Sequence, residues 1–109
     1  WAVIVESPLD VVRLASLNIP ALAIYGAKIS ATQFNIIRGL DKIIFALDND
    51  EAGRLSSRDI FQRCMSYNTE AWFFTYGDID VKDVGAMSRD EVLSGINTAS
   101  HISRGEKVI

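Results

Sequence analysis

The sequence holds one cysteine, Cys64, and one histidine, His101, in 109 residues. That scarcity excludes an internal disulfide and a Cys/His zinc site. Any metal bound here must be held by oxygen, which selects Mg²⁺ or Mn²⁺. No apolar run approaches the roughly 20 residues that cross a bilayer, and no signal peptide is visible, so cytoplasmic residence is the default expectation and a membrane partner is not expected. Positive charge is also scarce: 11 Lys and Arg against 14 Asp and Glu leave a net charge of −3. Binding to nucleic acid normally rests on basic side chains that neutralise phosphates. If this domain meets a polyanion, bound metal or neighbouring domains must supply the positive charge.

What is present is apolar. Hydrophobic residues make up 49% of the chain, which fits one compact α/β domain with a real core and argues against disorder. The first residue is Trp1 and a strand begins almost at once, so the chain is expected to be a piece of a longer protein.

The stretch Ile43 to Gly53, IIFALDNDEAG, organises the rest. Five apolar residues of the kind that suit a strand buried on both faces stop at Asp48, Asn49 and Asp50, after which the chain turns helical. Carboxylates delivered to the carboxyl end of such a strand lie at the edge where open α/β sheets bind ligands. Asp48 and Asp50 are two apart and lean to the same side in extended geometry, so they can share one cation. Two ionised carboxylates a few Å apart repel by about 4 kcal/mol at an effective dielectric near 20, and a divalent metal relieves that. The plainer alternative is that Asp50 caps the next helix, with Glu51 in its first turn, and that Asp48 is a solvated loop acid.

Taken in order, Ala2 to Val5 reads as a short buried strand ending at Glu6. Ser7 as N-cap, Pro8 as first helical residue and Asp10 as reciprocal acid open a helix to about Leu17. A capping acid needs no metal; Glu6, on the strand end, has no such explanation. Asn18 ends the helix in a left-handed turn, and Ile19 to Ile24 forms a second strand. Gly26 breaks the chain, Lys28 follows on the loop as either a phosphate contact or a solvated lysine, and Ser30 and Gln33 form a capping box, with Ile29 and Phe34 as staple, for a helix closing near Gly39.

The helix after the Asp48 loop runs from about Glu51 to Met65, with Gly53, Ser57, Ile60, Phe61 and Cys64 on one face. Ala71 to Tyr76 is a fourth strand, followed by Asp78, Asp80, Lys82 and Asp83 at the same edge. Ser88 and Glu91 form another capping box, with Met87 and Val92 as staple, for a helix to about Asn97. Residues 98–109 are either a flexible tail or the start of a next element. The alternation of strand and helix predicts an α/β fold with a four-stranded parallel sheet flanked by helices and right-handed crossovers. With strands one and three adjacent and strand two outside strand one, Glu6 faces Asp48 and Asp50 across the crevice at the switch point.

These residues resemble the Toprim domain shared by DNA primases, topoisomerases and some nucleases, a Rossmann-like fold. Ile4-Val5-Glu6 matches the glutamate at the end of its first strand, and Leu47-Asp48-Asn49-Asp50-Glu51-Ala52-Gly53-Arg54 matches its D-x-D. The match looks closest to the bacterial and phage primase branch, including primase-helicases, through D-x-D-x-A-G-R, Gly26 and Lys82-Asp83. Ser7 departs from the usual glycine, and Gly85 stands where many primases carry a further acid.

The resemblance implies two-metal nucleotidyl transfer that makes RNA primers on a DNA template from ribonucleoside triphosphates. It implies Asp48, Asp50 and Asp83 as ligands of Mg²⁺ or Mn²⁺, with Asp10 assisting. Glu6 becomes a ligand or the general base toward a 3′-hydroxyl, and Arg54 and Lys82 become phosphate contacts. DNA, nucleotides and a replicative helicase would be partners of the full-length protein, and this chain alone is expected to bind metal weakly and catalyse little. A Toprim nuclease, of the overcoming-lysogeny or ribonuclease type, would use the same acids with water as nucleophile. A receiver-like phosphoacceptor domain also carries acids and a lysine at one edge, but Lys82 is followed by Asp and not by the customary proline. A haloacid-dehalogenase-like phosphatase shares D-x-D but wants Thr or Val where Ala52 stands.

Overall fold

Alternating side chains along the central strands supply two hydrophobic surfaces, and the helices divide between them. The computed structural model describes residues 1–24, 30–64, 69–76 and 81–101, with residues 100 and 101 described by backbone alone. Strands β1 (Ala2–Val5), β2 (Ala21–Ala23), β3 (Lys42–Phe45) and β4 (Glu70–Phe73) pair in parallel in the order β2-β1-β3-β4. This is the expected four-stranded parallel sheet. A two-residue strand, β5 (Ser100–His101), adds antiparallel to β4.

Four helices follow the first four strands: α1 (Pro8–Ala15), α2 (Ala31–Ile37), α3 (Glu51–Cys64) and α4 (Arg89–Asn97). Ile43 and Phe45 of β3 pack with Phe34 and Ile37 of α2 and with Ile60 and Cys64 of α3. Ile44, one residue out of phase, packs with Leu14 of α1 and Val92 of α4 on the other face. Because both faces are covered, the strand reads as a continuous apolar run in the sequence.

Several boundaries are tighter than the sequence suggests. Helix α1 ends at Ala15, not near Leu17, because the N–H groups of Leu17 and Asn18 reach back only three residues, to the carbonyls of Leu14 and Ala15. Asn18 then takes the expected left-handed conformation, with φ of 60°. Strand β2 is three residues long: Ile19 is spent returning its N–H to the Leu14 carbonyl, and Pro20, which lacks an N–H, precedes the ladder. Both predicted capping boxes, Ser30 with Gln33 and Ser88 with Glu91, are formed. Between β4 and α4 lies a short 3₁₀ turn, Val84–Ala86, capped by the Asp83 side chain. Gly26, Lys28, Ile29, Met65, Asp78 and Asp80 fall outside the described residues.

Candidate metal centre

Strands β1 and β3 are neighbours whose chains leave in opposite directions, β1 toward β2 and β3 toward β4. Their carboxyl ends therefore border the switch-point crevice. Glu6 follows β1 and Asp48 follows β3, and the Asp48 N–H donates to Glu6 Oε1 at 3.4 Å. The two carboxylate sources lie on the same rim.

Asp10, in the first turn of α1, is only 4% exposed, and among the described residues no other carboxylate is buried to that degree. Ser7 caps α1 by accepting from the Leu9 N–H at 3.1 Å. The Asp10 carboxylate accepts from the Ser7 N–H, as the reciprocal acid of a capping box does, and also from the Gly85 N–H beyond the 3₁₀ turn's start. The cap therefore accounts for part of Asp10 and leaves it facing the crevice. One carboxylate oxygen from each of Asp10, Asp48 and Asp83 lies within 4.8 Å of the others.

Three contacts set this convergence. A Cβ on Gly85 would sit 2.6 Å from Asp10 Oδ1 and 3.2 Å from Asp83 Oδ1, so the bare glycine lets that backbone approach both acids. Buried Tyr76, just past β4, donates its hydroxyl to the Leu47 carbonyl at 2.8 Å, holding the chain immediately before Asp48. Asn49, immediately after Asp48, donates its backbone N–H to the Lys82 carbonyl at 2.6 Å and its Nδ2 to the Val81 carbonyl at 3.1 Å.

The charges are poorly compensated without an ion. Burial, and then the charge of Asp48, pushes Glu6 up to about 7 from an ordinary 4.5. Burial, then Asp83 and Asp48, pushes Asp10 up to about 6 from 3.8. Asp48 is likewise raised, by burial and by Asp83, while a hydrogen bond from Glu6 and the charge of Lys82 pull the other way. The direction assigns the shared proton of the Glu6–Asp48 pair to Glu6. Burial first, then Asp48, Asp10, Asp83 and Glu6, raises the Tyr76 hydroxyl, so it stays a neutral donor.

The other predicted site residues are placed differently. Asp50 is exposed and accepts the Gly53 N–H at 2.7 Å, which makes it the cap of α3; it lies outside the three-acid group, although its charge reaches Glu6 and Asp48. Lys82 is exposed at the rim. Arg54 is half-buried and lines a cleft beside Asp48, Asn49 and Tyr76. Lys28 lies outside the described residues. Cys64 is buried in the core under α3. Sequence reasoning assigned no role to Tyr76 or Asn49. The available signal for Tyr76 was a phenol ending a buried strand, since a buried hydroxyl needs a partner.

Three converging carboxylates that offer only oxygen, two of them, Asp10 and Asp48, raised by burial and then by neighbouring charge, fit a hard divalent cation such as Mg²⁺ or Mn²⁺. Among the described residues, no helix is long and apolar enough to cross a membrane.

Comparison with known proteins bears on the fold and the family. The fold is similar to the crystal structure of the Aquifex aeolicus primase, comprising zinc-binding and RNA polymerase domains, with a TM-score of 0.78, 21% sequence identity and 95% of this chain covered. The chain spans 27% of the length of that protein. No curated protein matches the sequence. The Toprim-like family matches residues 3–84, which include Glu6, Asp10, the Asp48 loop and Asp83, and the chain belongs to that family.

Proposed function

We propose that this chain is the catalytic Toprim domain of a DNA primase, joining ribonucleotides into RNA primers on a DNA template. The observation that carries the reading is the convergence of Asp10, Asp48 and Asp83 beside Glu6 at the switch point. The likeness in fold to the Aquifex primase favours primer synthesis over the phosphoacceptor alternative.

Asp10, Asp48 and Asp83 hold Mg²⁺ or Mn²⁺, and Asp50 adds negative charge from the start of α3. The bound ions supply Lewis-acid polarisation of triphosphate oxygens and screen the charge that develops during phosphoryl transfer. Glu6, whose Oε1 meets the Asp48 N–H, either completes the ligand set or accepts the proton of the attacking 3′-hydroxyl. Lys82 and Arg54 flank the acids as phosphate contacts, and Lys28 joins them by its place in the sequence alone. Template DNA, nucleotides and a replicative helicase engage the full-length protein, whose other parts supply the positive charge that this chain lacks.

The test combines two measurements. A Mg²⁺ or Mn²⁺ titration followed by NMR should move residues around Asp10, Asp48 and Asp83; shifts confined to the opposite rim count against the site. The full-length protein, given single-stranded template and ribonucleotides, should make primers and lose that activity in an Asp48→Ala variant. Template cleavage without primer synthesis would identify a Toprim nuclease instead.

A further inference from the structure

Asn49 fills the variable position of the Asp48-Asn49-Asp50 motif, yet it makes the described contacts that join the tip of β3 to the segment carrying Asp83. Its two donors grip two successive carbonyls, Val81 at 3.1 Å through Nδ2 and Lys82 at 2.6 Å through the backbone N–H. Asp48 directly precedes the gripping residue and Asp83 directly follows the gripped pair. The segment beyond Asp83 is tied elsewhere, to α1: Gly85 donates to Asp10, and Arg13 Nη2 donates to the Met87 carbonyl at 3.1 Å. Asp10 and Asp83 are thus linked through the 3₁₀ turn, whereas Asp48 and Asp83 are linked through Asn49.

Like charges at this spacing push their backbones apart unless something opposes them. The amide suits the place: an aspartate of the same shape would set an acceptor against the Val81 carbonyl, and a glycine would leave that carbonyl without its donor. We infer that Asn49 is a positioning residue that holds Asp48 and Asp83 at ion-binding separation before an ion arrives. The inference rests on the metal reading proposed above.

The test uses the 109-residue chain with Asn49→Ala, which removes the side-chain donor and keeps the backbone N–H. Amide hydrogen exchange at residue 49, read by NMR without metal, is expected to quicken about tenfold, and Mn²⁺ affinity, read by electron paramagnetic resonance, to fall about tenfold, the lower end of the loss seen when a ligand's supporting partner is removed. Asn49→Ser, with a shorter donor, should fall between alanine and asparagine in both. Ser30→Ala, which removes the α2 cap, should lower the melting temperature and leave both readouts unchanged. Unaltered exchange in Asn49→Ala would overturn the tether. Faster exchange with unaltered Mn²⁺ affinity would show a merely structural bond and overturn the positioning role. A wild-type chain that took up no Mn²⁺ would remove the metal reading itself, a result seen before any variant is compared.

Discussion

A Cβ placed on Gly53 would lie 2.1 Å from the carbonyl oxygen of Asp48. The first turn of α3 therefore rests backbone to backbone on the tip of β3, and the glycine five residues after Asp48 is a packing requirement of the site. Gly53→Ala gains about 1 kcal/mol of helix propensity but overpacks this contact at a cost of about 1–3 kcal/mol. A net loss of stability in urea denaturation is expected, with weakened Mn²⁺ binding because the Asp48 backbone must shift. A stabilised Gly53→Ala chain would contradict the contact.

Stability of the metal-free chain should fall as the pH rises from 5 to 8. Glu6 at about 7 and Asp10 at about 6 both titrate above their ordinary values of 4.5 and 3.8. In that window the folded chain binds more protons than the unfolded chain, so raising the pH favours unfolding. The slope is at most about 1.4 kcal/mol per pH unit for each group, less where water screens the charge. Urea midpoints measured at pH 5 and pH 8 should differ in that direction; an equal or higher midpoint at pH 8 goes against it.

Asp10→Asn keeps an oxygen for the Ser7 and Gly85 N–H groups and removes a charge beside Asp83 and Asp48. The variant should be more stable than wild type at pH 8 without metal, by about 1 kcal/mol, and should bind Mn²⁺ at least tenfold more weakly. Calorimetric melts and a Mn²⁺ titration check the two halves separately.

Adding Mg²⁺ or Mn²⁺ at a hundred times its dissociation constant should stabilise the wild-type chain by about 2.7 kcal/mol. The gain should shrink as the pH drops toward 5, where protons compete for Glu6 and Asp10. Thermal denaturation with and without the ion measures it, and a gain that persists in Asp48→Asn would place the ion elsewhere.

Tyr76→Phe removes the buried donor to the Leu47 carbonyl. The unsatisfied carbonyl should cost about 1–3 kcal/mol, and a shift of several degrees in melting temperature is expected for a chain of this length. An unchanged melting temperature would mean that water replaces the hydroxyl.

Local chemistry made much of the fold legible. The caps at Ser7, Ser30 and Ser88 involve residues two or three apart, and the left-handed turn at Asn18 depends on one side chain, so each can be read without knowing the rest. The apolar run of β3 announces a strand covered on both faces. The tightened end of α1 and the shortened β2 escaped, because their limits are set by where hydrogen bonds close in space. The resemblance named Asp48, Asp50 and Asp83 with Asp10 assisting, and local spacing left Asp50 as either ion partner or helix cap; the structure brings Asp48 together with Asp10 and Asp83 and gives Asp50 the helix to cap.

The sequence by itself determined that any ion here meets oxygen, that a parallel sheet forms, and that acidic side chains gather at its carboxyl edge, since composition and short-range periodicity suffice for these. Only the tertiary structure decided which acids meet. That choice follows from strand order and from backbone approaches at Gly53 and Gly85, and from the reach of Asn49 across 32 positions of chain, distances that no local pattern encodes.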